Sequence, residues 1–221
     1  MDTVPPHAPA DPARYRYGAV LVLTLVLLVF VILAPAEDWS RAVALVLESA
    51  ALVVAVATSR ARTRRIRAPA IAVAGGVAVA CVLAGLIPEW GTQVLSGAIA
   101  LAIPLALMRG LVRLVGQAGA TLQAVAGALT IYLLIGLMFA WLIGFVAHVD
   151  GAPYFASGTD GTVSERVYYS LVVMTTTGFG DFTAAQPLGR ALAVVEMLVG
   201  QLYLVTVIGV LIGSLVQRRA T

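Results

Sequence analysis

Residues Thr175, Thr176, Thr177, Gly178, Phe179, Gly180 and Asp181 run together between two apolar segments, and no other stretch gathers hydroxylated and achiral residues so densely. Glycine at alternate positions admits backbone angles that an L-residue resists. The carbonyl oxygens of Thr176 to Phe179 can then turn to one side, and a row of uncharged oxygens can replace the hydration shell of a weakly hydrated cation. Backbone of this kind at membrane depth is tolerated only where it lines such a cavity. The plainer alternative is a glycine-rich turn between two helices.

The rest of the chain has the composition of a lipid-embedded scaffold. Of 221 residues, 61% are hydrophobic and 11% charged, and the mean hydropathy is +0.98, far from the balance of a soluble domain. Apolar runs at 17–34, 41–58, 69–87, 92–108, 122–147 and 188–216 each approach the roughly 20 residues needed to span a bilayer. Six spans are therefore expected, the fourth interrupted by Pro104. The lone Cys81 lies inside an apolar run and forms no disulfide within the chain.

Orientation follows from the arginines, which supply all fourteen basic residues. Arg14 and Arg16 end a proline-rich tail, 1–16; Arg60, Arg62, Arg64, Arg65 and Arg67 fill the loop after span two; Arg109 and Arg113 follow span four; Arg218 and Arg219 lie in a short tail, 217–221. These ends share one side, which the positive-inside rule makes cytoplasmic, so both termini are inside. The opposite connections hold Glu37, Asp38, Glu89, Asp150, Asp160, Glu165 and Asp181 against Arg41, Arg166 and Arg190. Their acidic excess either concentrates cations at an outer mouth or merely solubilises the loops. The net charge of +3 implies no nucleic-acid partner.

Ahead of the glycines, Thr162 and Glu165 fit a capping box, with Ser164 as an alternative cap, for a helix over 163–175. It is too short to span and too apolar for water, so it reads as re-entrant. In the last span Gly200 is either a hinge or a small residue for close packing. Thr206 and Gly209, further along, are candidates for the cavity lining or an inner constriction. Glu196 lies near the depth of the glycine loop, where bracing the short helix is favoured over binding ions; Glu48, in the outer half of span two, could face an aqueous crevice. Span four lacks the repeated arginines of a voltage sensor, which needs several charges to do its work in the membrane field. Stretch 109–121 reads as an amphipathic linker.

Thr176, Gly178, Gly180 and Asp181 make the loop resemble the signature filter of tetrameric potassium channels, with Thr177 in place of Val or Ile and Phe179 in place of Tyr. Thr177 keeps the shape of Val but brings a hydroxyl, which must find a partner behind the loop or turn toward the ions. The resemblance implies an all-α integral membrane fold: six transmembrane helices, a re-entrant pore helix and a filter loop per chain. Four peripheral spans (17–108) then precede a pore domain (122–216) with pore helix 163–175, filter 176–180 and inner helix 188–216. It further implies K+ bound at Thr176, Thr177, Gly178 and Phe179, and an aromatic cuff from Tyr168 and Tyr169, the latter placed to hydrogen-bond Asp181. Gly200 matches the hinge position, and Val172 stands where some members carry a Glu.

One such loop per chain requires four chains around an axis, hence a homotetramer in the bilayer of a prokaryotic inner membrane. No cofactor is implied; K+ is the permeant ion. A nonselective monovalent cation channel, resting on Thr177, is the nearest rival, and a non-conducting accessory subunit is another. Gly178-Phe179-Gly180-Asp181 also looks like the GxGD motif of intramembrane aspartyl proteases, but that chemistry needs a second carboxylate, and no other Asp lies in a span. The chain is not expected to be an enzyme.

Overall fold

The computed structural model describes residues 17–35, 37–58, 64–86 and 89–220. The described residues are helical and short-looped: α1 (Tyr17–Leu33), α2 (Asp38–Thr58), α3 (Arg64–Leu83), α4 (Glu89–Ala118), α5 (Leu122–Asp150), α6 (Val163–Met174), α7 (Pro187–Tyr203), a π-helical segment (Leu204–Ile208) and α8 (Gly209–Ala220). The expected tail over 1–16, with Arg14 and Arg16, lies outside the described residues, as do Arg60 and Arg62. So do the side chains of Arg64, Arg65, Arg67, Arg109, Arg113, Arg218 and Arg219, on which the orientation rests.

Among the described residues, four helical stretches are long and apolar enough to cross a membrane: Trp39–Ala57, Val94–Gly116, Leu122–Asp150 and Pro187–Ser214. Tyr17–Leu33 and Val73–Val82, within two further expected spans, are shorter apolar stretches among the described residues. The stretch expected as an amphipathic linker, 109–121, is helical as a continuation of α4 as far as Ala118, with Gly110 and Gly116 inside the helix. Only Gly119 (φ +68°), Ala120 and Thr121 separate α4 from α5. Thr121 caps α5 by accepting from the Ala124 amide at 3.2 Å, and Gly151 ends it in the left-handed conformation.

Helix α5 is the hub. Its buried residues Ala124, Ala128, Ile131 and Leu134 recur every three or four positions and meet Tyr17 and Val20 of α1, Ile103, Leu107, Leu111 and Leu114 of α4, Met174 of α6 and Tyr203 of α7 in one core. Lipid is as apolar as these side chains, so close packing rather than exclusion from water must hold the helices together. Glycine makes that closeness available. A Cβ on Gly97 would overlap the Trp141 ring, one on Gly110 the Tyr17 hydroxyl, and one on Gly127 would meet the Tyr17 ring at 3.2 Å.

Past α5 the chain turns back on itself. Ala156 donates to the Thr183 carbonyl at 2.9 Å and Ala185 to the Tyr154 carbonyl at 2.8 Å, framing an antiparallel bridge between Phe155 and Ala184. This pairing fastens the segment before α6 to the segment that follows the glycine loop. Ile143, Ala147, Tyr154, Phe155, Tyr169 and Ala184 pack beneath it as a second core.

Candidate functional site

Helix α6 begins with the reciprocal cap expected from its sequence. The Glu165 amide donates to Thr162 Oγ1 at 3.2 Å, and the Thr162 amide donates to Glu165 Oε2 at 2.6 Å. Ser164 is bonded elsewhere. Its hydroxyl donates to the Ile32 carbonyl at 2.9 Å and so ties α6 to the end of α1. The helix closes at Met174, with Thr175 as the cap residue. Beyond it, the Thr176 amide bonds the Val173 carbonyl at 2.9 Å and the Thr177 amide bonds Val172 at 3.0 Å. This is the Schellman pattern, and it requires a left-handed residue at the position of Thr176.

Thr176 has φ +57°, the one positive value at a non-glycine among the described residues. A β-branched residue there is strained by about 1–3 kcal/mol, a cost that persists where the surrounding structure imposes it. Gly178 (φ +59°) and Gly180 (φ +81°) continue the alternation, whereas Thr177 and Phe179 are not left-handed. Alternating hand flips each successive peptide plane, which is the backbone condition for carbonyls directed to one side. All residues from Thr175 to Asp181 are exposed in the isolated chain, and Phe179 is 68% exposed.

Each of the three threonines has a hydroxyl partner. Thr175 Oγ1 donates to the Leu171 carbonyl at 2.6 Å. Thr176 Oγ1 donates to the Thr175 carbonyl at 2.7 Å and lies 3.4 Å from Gln201 Nε2 of α7. Thr177 Oγ1 sits 2.8 Å from Thr175 Oγ1. Thus the hydroxyl that separates Thr177 from a valine finds its partner in Thr175, the residue that closes α6.

The adjacent tyrosines face different neighbours. Tyr168 stacks on Phe179 with centroids 6.5 Å apart, meets Phe182 edge-on and hydrogen-bonds Asp181. Tyr169 turns the other way, edge-on to Tyr154 and Phe155. The expected Tyr169–Asp181 bond therefore belongs to Tyr168, because residues one apart on a helix diverge by about 100° and only one can face the loop. Asp181 Oδ1 also accepts from the Phe182 amide at 3.0 Å. Tyr154 lies in the connection between α5 and α6; burial above all pushes its phenol above the usual range. It remains a neutral donor to the Gly189 carbonyl at 3.3 Å.

On the back of α6, the fully buried Ser170 and Glu196 meet. The Ser170 hydroxyl is bonded both to the Gly136 carbonyl of α5, at 2.6 Å, and to Glu196 Oε1 of α7. One hydroxyl proton cannot serve two acceptors, so a neutral carboxyl at Glu196 supplies the second. Glu196 Oε2 has no partner, a costly position for an ionised oxygen. Three helices thus meet at one serine that no sequence pattern singles out. Nothing in the 26-residue separation of Ser170 and Glu196 marks them as a pair.

Gly200 is buried within helical α7, and a Cβ on it would lie 2.8 Å from the Met174 carbonyl. That close approach to the end of α6 is a packing reason for glycine. The departure from α-helix geometry lies one turn further on, at the π segment Leu204–Ile208, with Gly209 as its cap. The inner helix expected over 188–216 changes geometry there; Thr206 is exposed within the segment and bonds back to the Leu202 carbonyl. Tyr203 anchors the segment's start, donating to the Ala128 carbonyl at 2.8 Å and stacking on Tyr132.

Glu48 lines a cavity of about 640 Å³ between α1, α2, α4, α5 and the start of α6, together with Ser96, Trp141, His148, Asp160 and Arg166. It hydrogen-bonds Ser96 of α4. Among the described residues no group of three or more His, Cys, Asp or Glu could hold a metal ion.

Residues 127–217 match the model of a family described as "Ion channel". Over 64 residues the chain is 39% identical to a protein of Methanocaldococcus jannaschii named "Probable potassium channel protein 2", a likeness covering 29% of this chain and 15% of that protein. The family match covers α5 to α8 and the loop between them, and the long apolar helices fit a multi-pass membrane protein.

Proposed function

We propose that the chain is one subunit of a homotetrameric, potassium-selective channel, in which residues 176–180 of four copies surround a common axis. The observation that carries this reading is the alternation of positive φ at Thr176, Gly178 and Gly180 directly after a short, capped helix. A single strand of carbonyls cannot encircle an ion, so conduction by this loop needs several copies. The exposed face of α7 supports the same arrangement: Val194, Val195, Leu198 and Leu202 are all at least half exposed, on the element that packs behind the polar loop. Polar backbone at membrane depth cannot face lipid, so other copies must cover that side.

In this reading the permeant K+ exchanges its water for the carbonyls of Thr176, Thr177, Gly178 and Phe179, and no cofactor takes part. Helix α6 directs its carboxyl end, and the negative end of its dipole, toward the pathway below the loop. Six spans with both termini inside, in a prokaryotic inner membrane, complete the arrangement. Tyr168 and Asp181 hold the outer end of the filter, while Tyr169 and Glu196 brace its back. The interrupted inner helix, with Gly200, Thr206 and Gly209, is where a gate would act, and the π segment gives the helix an irregular turn at that point.

Reconstitution in planar bilayers with potassium on one side and sodium on the other tests the proposal. The reversal potential of wild type is expected near the potassium limit and unmoved by Thr177→Val. A wild-type value near zero that moves toward that limit in Thr177→Val would instead identify a nonselective cation channel with Thr177 as its cause.

A further inference from the structure

We infer that Thr175, outside the row of ion-facing carbonyls, sets the ion preference of the loop by holding the Thr177 hydroxyl away from the pathway. The inference rests on the channel reading above and begins from a count of protons. Thr175 Oγ1 lies 2.6 Å from the Leu171 carbonyl and 3.4 Å from the Val172 carbonyl. Carbonyls only accept, and a threonine hydroxyl has one proton. That proton is committed to the last turn of α6. The Thr177 hydroxyl, 2.8 Å from the same oxygen, must therefore be the donor of the pair. Its proton, and with it the rotamer of Thr177, is fixed toward the helix end.

The consequence concerns selectivity rather than folding. With Thr177 held this way, the face it presents to its neighbours is the methyl and backbone, as a valine would present. Released, the hydroxyl would lose the one partner the structure gives it, and an unpartnered polar group turns to whatever can satisfy it. In the proposed tetramer that is the file of ions and water. Four added hydroxyl oxygens would offer ligands to a smaller, more strongly hydrated cation, against which a rigid row of carbonyls discriminates. Thr175 is thus a positioning residue, acting through Thr177.

The test is a cycle of variants read by reversal potential in mixed potassium and sodium. Thr175→Ala should lower the potassium-to-sodium permeability ratio by about tenfold, the scale of one lost hydrogen bond. Thr175→Ser, which restores the hydroxyl, should return the wild-type ratio. Thr175→Ala combined with Thr177→Val should also return it, since no hydroxyl then remains to release. That rescue is not expected if Thr175 merely supports the fold. Heats of potassium and sodium binding to the purified variants should rank in the same order and serve any variant that carries no current. A selective wild type with an indifferent Thr175→Ala, or a Thr175→Ala defect that Thr177→Val leaves in place, overturns the inference alone. A wild type without potassium preference overturns the channel reading and this inference with it.

Discussion

The peripheral half of the chain and the half that carries the glycine loop are joined by different chemistry. Where α2 meets α3, a Cβ on Gly75 would meet the Ser49 side chain; where α4 meets its neighbours, Gly97 receives Trp141 and Gly110 receives the Tyr17 hydroxyl. These joints depend on volume. Around α6 and α7, where Gly136 also receives Leu171 and Met174, donors and acceptors are added to volume: Ser164 to Ile32, Ser170 to Gly136 and Glu196, Tyr154 to Gly189, Tyr203 to Ala128. A volume joint accepts many side chains of the right size and still allows sliding. A hydrogen bond fixes distance and direction, which a loop that must hold its carbonyls in a row requires.

The largest effect is expected where the two kinds of joint coincide. Gly200 is a volume joint inside the polar half, and a Cβ there would lie 2.8 Å from the Met174 carbonyl. Backbone cannot swing aside as a side chain can, and moving Met174 moves Thr175 and the loop after it. Gly200→Val should abolish potassium flux from loaded proteoliposomes, at an overpacking cost of about 1–3 kcal/mol. Gly200→Ala should show an intermediate loss. Full flux in Gly200→Val would mean that the approach of α7 to Met174 is not needed.

The next effect separates a donor from a mere filler. Glu196→Ala leaves the buried Ser170 with the Gly136 carbonyl alone and opens a void, so it should destabilise the assembly by about 1–3 kcal/mol. Glu196→Gln keeps both the volume and a donor for Ser170, and thermal unfolding in detergent should place it near wild type. Equal losses in Gln and Ala would show that Glu196 works as a charge, against the proton count at Ser170.

The same division explains what the sequence made legible. The cap of α6 could be read because Thr162 and Glu165 are three residues apart in one turn, and the left-handed positions of Gly178 and Gly180 because only glycine takes them freely. Thr176 could not, since its φ is imposed by the closing turn of α6 rather than by its residue type. Ser170 and the partner of Asp181 escape a reading of the sequence for a related reason: which face of a helix meets which neighbour is set by packing across the chain. The continuation of α4 through 109–118 escapes it because the arginines and two glycines there suggest a boundary, whereas the helix carries Gly110 and Gly116 and ends only before Gly119.

The smallest effects should lie in the peripheral half, where two neighbouring glycines allow a controlled comparison. A Cβ on Gly76 would meet nothing within 4 Å, whereas one on Gly75 would lie 2.5 Å from Ser49 Oγ. Alanine in place of glycine inside a helix gains up to about 1 kcal/mol by reducing the freedom of the unfolded chain. Gly76→Ala should therefore raise thermal stability slightly. Gly75→Ala should lower it, because Ser49 Cβ would lie 2.8 Å from the new methyl and does not move with the rotamer; adding Ser49→Ala, which removes only the hydroxyl, should recover part of the loss. None of the three should move the permeability ratio. If one did, the seam between α2 and α3 would be coupled to the loop, and the peripheral helices would take part in gating rather than only surround the pore.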